Sequence, residues 1–123
     1  MKLETTARTQ PCKLTEAFHN YFAVGNLTKC RVHGLEDIPF REEAAQPMKH
    51  GERPLAPLGC LDRVYNFPSC SGKTMLEDLM LNRAITVERN HASSVIVWNP
   101  GQQGAKNMAD LGAESWNKFL CIE

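Results

Sequence analysis

Apolar positions along this chain recur mostly at every second residue, the period of a half-buried β-strand. Leu3, Thr5 and Ala7 fall on one face with Lys2, Glu4 and Thr6 on the other. That alternation predicts a first strand, closed by a Thr9-Gln10-Pro11 turn. Leu14 to Phe22 is the next candidate strand, ended by Gly25-Asn26. From Leu27 to Val32 the alternation returns, Thr28, Cys30 and Val32 facing one way and Lys29 and Arg31 the other. Arg63 to Phe67 reads as another strand. Arg83 to Arg89 alternates clearly, with Ile85 and Val87 inward. Val95-Ile96-Val97-Trp98 is a continuous apolar run, which predicts a strand buried on both faces. Phe119 to Ile122 is the last strand, followed directly by Glu123.

Between these runs the pattern changes. Glu36 to Gly59 holds Pro39, Pro47, Pro54 and Pro57 together with Gly51. Prolines at that density exclude a helix or a central strand, so the stretch reads as a long surface excursion with short edge strands. Asn99-Pro100-Gly101 breaks the apolar run before it. Ala105 to Leu111 and Glu114 to Lys118 read as short helical turns. Seven or eight strands at close spacing argue for an all-β fold, a sheet, sandwich or barrel, with one or two helical turns.

Composition narrows the class. The chain has 123 residues, 42% of them hydrophobic, enough for one domain or part of one. Fourteen basic residues balance fourteen acidic ones, which leaves no electrostatic footprint for nucleic acid or an anionic membrane. No apolar run approaches the ~20 residues that span a bilayer, and the opening residues do not read as a signal peptide. The five cysteines, Cys12, Cys30, Cys60, Cys70 and Cys121, are odd in number and widely spaced, without a Cys-x-x-Cys pair. They suggest neither a disulfide scaffold nor a zinc site. A reducing, cytoplasmic setting is expected, with Cys30 and Cys121 as buried thiols. No metal site is expected, since no His-x3-His spacing occurs either.

Few residues offer chemistry. Ser71-Gly72-Lys73-Thr74 ends like a phosphate-binding loop, but Phe67 stands where the motif needs its first glycine. The better reading is a polar turn. His19 lies in the aromatic run Phe18-His19-Asn20-Tyr21-Phe22, where a histidine is more often a core or interface residue than a catalyst. Asp62 can pair with Arg63 or cap a turn. Glu123 taken alone reads as an exposed terminal side chain. From the residues themselves the chain is a β domain with one possible acid–base pair.

Three stretches together go further. Leu14-Thr15-Glu16-Ala17-Phe18-His19-Asn20-Tyr21-Phe22-Ala23-Val24-Gly25, then Leu61-Asp62-Arg63-Val64-Tyr65, then Val97-Trp98-Asn99-Pro100 through Met108-Ala109-Asp110 to Cys121-Ile122-Glu123 stand in this order. The ordered set resembles the aldose 1-epimerase superfamily, and within it most closely the glucose-6-phosphate 1-epimerases. The resemblance implies a galactose mutarotase-like antiparallel β-sandwich, of which residues 1–123 would be the C-terminal portion, about half. The stretch carrying the arginines that grip the substrate phosphate would lie upstream, so Arg31, Arg41 and Arg63 are not placed in that role.

The resemblance also implies roles. The histidine matching His19 is a general acid, the glutamate matching Glu123 a general base, and the aspartate matching Asp62 contacts sugar hydroxyls. The implied activity is interconversion of the α and β anomers of a hexose 6-phosphate, an isomerase reaction needing no metal, nucleotide or redox cofactor. A free aldose is the alternative substrate. A non-catalytic sugar-binding β domain and an inactive truncated fragment are the rival readings. The small-molecule sugar is the one partner implied, and assembly is left open. A main-chain carboxylate at Glu123 would disturb the charge and geometry of its side chain. Two departures stand out: Phe40-Arg41-Glu42-Glu43 where relatives tend to have Tyr-x-Asp-Lys, and Asn20 after the histidine where threonine is common. They bear on sugar preference and lie away from the acid–base pair.

Overall fold

A computed structural model describes residues 2, 4–42, 49, 50 and 53–123. Among the described residues nine strands run in chain order: β1 (Tyr21–Ala23), β2 (Cys30–His33), β3 (Pro39–Arg41), β4 (Lys49–His50), β5 (Leu61–Asn66), β6 (Gly72–Asp78), β7 (Arg83–Arg89), β8 (Ser94–Asn99) and β9 (Phe119–Ile122). One short helix, α1 (Gly101–Lys106), and two 3₁₀ turns, Leu27–Lys29 and Trp116–Lys118, complete the elements of the described residues. Every named strand pairing is antiparallel. The strands form a six-stranded sheet ordered β1-β9-β8-β5-β3-β4 and a three-stranded sheet ordered β2-β6-β7. The expected all-β antiparallel architecture is what the chain adopts.

One hydrophobic core joins the sheets. Cys30, Val32 and Leu76 come from the smaller sheet; Phe40, Leu61, Tyr65, Val95, Val97, Leu120 and Ile122 come from the larger. Because side chains alternate across a strand, the residues between these core positions point away from the core. In β8 these are Ile96 and Trp98, in β5 Asp62 and Val64, and around β9 Cys121 and Glu123. Val95 and Val97 are buried while Ile96 and Trp98 are half-buried, so β8 is not covered equally on its two faces. The second face of the apolar run is where the candidate chemistry lies.

Several sequence expectations change. Residues 4–7 form no strand, and Thr5 and Ala7 are exposed. Only Tyr21–Ala23 of the second candidate pairs, against β9, so His19 sits in the approach to a strand. Gly72-Lys73-Thr74 is not a turn: it opens β6, which pairs along its whole length with β7. An antiparallel hairpin has no helix N-terminus to cradle phosphate, so the phosphate-loop likeness ends there. Of the middle excursion, β3 and β4 are short strands at one end of the larger sheet, as expected, whereas Glu43, Pro47 and Gly51 lie outside the described residues. The helical turns are α1 and Trp116–Lys118, shifted from the expected spans because Pro100 and Gly101 start the helix as well as stop the strand.

Candidate active site

β9 is clasped at its end. Glu123 donates its backbone N–H to the Ile96 carbonyl at 2.9 Å, and Ile96 N–H returns to Glu123 O at 3.0 Å. This pair of bonds carries the β8–β9 ladder through the last residue and fixes the face on which the Glu123 side chain emerges. The other end of β9 is set by Asn99, which is fully buried. Its Nδ2 donates to Trp116 O at 2.8 Å and Phe119 O at 2.9 Å, and its Oδ1 accepts from Gly101 N–H at 2.8 Å. One amide thereby ties the end of β8, the start of α1 and the entry to β9.

His19 reaches the same face from the segment before β1. Asn20 donates from Nδ2 to Phe18 O at 3.1 Å and to Ile122 O at 3.4 Å, which pins the histidine segment beside β9. His19 Nε2 lies 3.0 Å from Glu123 Oε1. The residues are more than a hundred apart in sequence, and the fold brings them into direct contact. The Glu123 side chain is 6% exposed and the His19 side chain 49%. One partner is therefore fixed within the protein and the other can move into solvent.

Burial pushes the Glu123 carboxyl above the usual carboxylate range, the His19 charge opposes that rise, and the Asp62 charge adds to it. Asp62 is exposed on β5, directly across the ladder from Trp98. An aromatic wall closes the rest. The His19 and Tyr21 rings stack with centroids 4.9 Å apart, Trp98 meets His19 edge-on at 5.6 Å, and Phe119 lies 5.3 Å from Tyr21. Local desolvation at this otherwise exposed tyrosine, with the charges of Cys121, Asp110 and Glu123, raises the Tyr21 hydroxyl pKa.

His19, Glu123 and Asp62 thus converge on one face. Sequence reasoning missed three neighbours. The sequence marks Trp98 only as part of a buried run. Asn20, read as lying away from the pair, bonds to the backbone on either side of it. Cys121, read as a buried thiol, is fully buried on this same face, and its Sγ lies with donor atoms of His19 and Glu123 within 4.8 Å of one another. Alternation along Phe119-Leu120-Cys121-Ile122-Glu123 is the signal that placed Cys121 and Glu123 together.

The sequence profile of the aldose 1-epimerase family matches residues 1–123. This chain belongs to the aldose 1-epimerase family. A protein of Salmonella typhimurium provisionally named glucose-6-phosphate 1-epimerase is 34% identical over 112 residues, 89% of this chain and 37% of its own length. A similarly named protein of Cenchrus ciliaris is 27% identical over 121 residues, 97% of this chain and 36% of its own. Among solved structures, a provisionally named mutarotase from Salmonella typhimurium superposes with a TM-score of 0.75 at 29% identity, over 85% of this chain and 35% of that one. This aldose 1-epimerase family chain therefore spans a little over a third of the length of the relatives it matches, less than the half expected from its motifs. Among the described residues no helix is long and apolar enough to cross a membrane.

Proposed function

We propose that this chain carries the acid–base pair of a hexose-6-phosphate 1-epimerase, with Glu123 as base, His19 as acid and Asp62 as a ligand of sugar hydroxyls. The observation that carries this reading is the 3.0 Å approach of His19 Nε2 to the buried Glu123 carboxylate. A base works best when its pKa lies near the working pH, and the raised Glu123 pKa moves in that direction.

The chemistry consists of paired proton transfers. Glu123 takes the proton of the sugar O1 hydroxyl, and the O–H electron pair becomes the second C1–O1 bond. The C1–O5 bond breaks, and O5 receives its proton from His19 imidazolium. Rotation about C1–C2 presents the other face of the aldehyde. O5 then attacks C1, losing its proton to His19 while O1 regains one from Glu123. Each transfer is worth about 10²–10⁴-fold when the group is positioned. The sugar must enter between the two side chains, and the half-exposed His19 is the one able to yield. Trp98 and Tyr21 offer apolar ring surface for the sugar's C–H face.

The names of the relatives favour a phosphorylated hexose. The phosphate grip is expected from sequence beyond this chain, in the longer form that the relatives represent. All five thiols are free, which fits a reducing cytoplasmic setting. The test is anomeric exchange of glucose 6-phosphate followed by NMR, with free glucose and galactose for comparison. Faster exchange of the phosphorylated sugar supports the reading. Equal acceleration of all three contradicts the substrate class, and sugar binding without exchange favours a non-catalytic domain.

A further inference from the structure

We infer that His19, Cys121 and Glu123 form a binding site for a borderline-soft divalent cation of the zinc class. The three offer one imidazole nitrogen, one thiol sulfur and one carboxylate oxygen, all within 4.8 Å of one another. At bond lengths of about 2.0–2.3 Å, the donors of a tetrahedral zinc site stand roughly 3.3–3.6 Å apart. His19 Nε2 and Glu123 Oε1 are already at 3.0 Å, so a cation seated between them would spread that pair slightly and draw the sulfur in by about an ångström. The needed movement falls on His19, which is half-exposed and lies outside any strand. The backbones of Cys121 and Glu123 are held by the β8–β9 ladder, so beyond His19 only a turn of the Cys121 side chain is needed to bring the sulfur in.

Three protein donors leave a fourth position, and exposure of His19 places it on the solvent side. That is the arrangement of an open zinc site. The donor set also selects the ion. A thiolate and an imidazole favour zinc, cobalt and cadmium, whereas magnesium and calcium ask for oxygen ligands. As the metal–sulfur bond forms, the Cys121 thiol proton leaves to solvent, and the apolar surroundings of the sulfur no longer oppose its charge because the cation neutralises it.

Binding stands on donor geometry alone. Its consequence rests on the proposed function: a seated cation occupies both the acid and the base, so it would act as a reversible inhibitor that competes with the sugar. Cys121 then has a function that proton transfer does not give it.

The test uses Co²⁺ as a spectroscopic probe. The chain carries Cys12→Ser, Cys60→Ser and Cys70→Ser, which removes the exposed thiols. The expected result is a thiolate-to-cobalt charge-transfer band with tetrahedral visible absorption, displaced by one equivalent of Zn²⁺ and untouched by Mg²⁺. Cys121→Ser should abolish the charge-transfer band. His19→Ala, at a half-exposed position outside any strand, should weaken Co²⁺ binding at least about tenfold while unfolding remains cooperative. Absence of the band, a band displaced by Mg²⁺, or affinity unchanged by His19→Ala overturns the site. Because no turnover is read, failure here leaves the acid–base reading standing, and absence of epimerase activity leaves the metal site standing.

Discussion

Glu123 shows how its surroundings shift the pKa of one side chain. Burial alone raises it, and the imidazole of His19 restrains the rise. Asp62 raises it further from across the face. Removing the Asp62 charge makes the carboxylate easier to ionise, so Asp62→Asn should lower the Glu123 pKa. A ¹³C NMR titration of the Glu123 carboxyl is expected to show a midpoint above the ordinary value of about 4.3 in the parent, and a lower one in Asp62→Asn. An unchanged midpoint would mean that Asp62 is electrically remote from Glu123. The kcat/KM profile should follow: its acid limb rises as Glu123 loses its proton, and Asp62→Asn should move that limb to lower pH. None of this is legible from Glu123 as a residue. Its burial comes from β8 and β9, and its partner from a segment more than a hundred residues earlier.

At the level of elements, much was legible where one face meets the core. The alternation in β7 and the apolar run of β9 predict their strands because the core between the sheets demands it. β6 escaped notice because Gly72-Lys73-Thr74 has turn chemistry, and cross-strand pairing with β7 overrides it. The first expected strand failed for the opposite reason. Its alternation of Leu3, Thr5 and Ala7 carries little apolar weight, and Thr5 instead bonds to Glu16 at 2.9 Å. Asn99 is the element-scale joint. Asn99→Ala would leave the buried Phe119 carbonyl, the partly buried Trp116 carbonyl and the buried Gly101 N–H without their partner, a loss of about 2–4 kcal/mol. Urea unfolding should show a lower midpoint at unchanged slope. Gly101 is constrained too, with φ of +65° and a would-be Cβ 2.6 Å from Cys60 N. Gly101→Ala should therefore destabilise as well, by about 1–3 kcal/mol from the backbone alone. If either variant unfolds at the parent's midpoint, the joint is not what holds α1 and β9 in place.

For the whole molecule, the fold class and the family came from sequence, and the proposed site residues were reached through ordered motifs rather than through periodicity. Pattern alone stops at a β domain, because the second face of a strand looks the same whether it meets another layer or a substrate. The chain is a little over a third of the length of its relatives, and the phosphate grip is expected outside it. A protein lacking that grip holds the sugar loosely and loses the benefit of orientation. The isolated chain should therefore accelerate exchange weakly or not at all, and a form extended to the length of the relatives should accelerate it strongly. Strong exchange by the isolated chain would show that the phosphate grip is not needed.

His19 and Glu123 are proposed to act as one catalytic unit, and NMR exchange of glucose 6-phosphate anomers in the extended form decides whether they do. His19→Ala and Glu123→Gln should each slow exchange by about 10²–10⁴-fold. Combining them should cost little more than the worse single change, because either loss already disables the pair. Rates left untouched by either substitution, or losses that multiply in the double variant, would show that the two residues do not act as a pair.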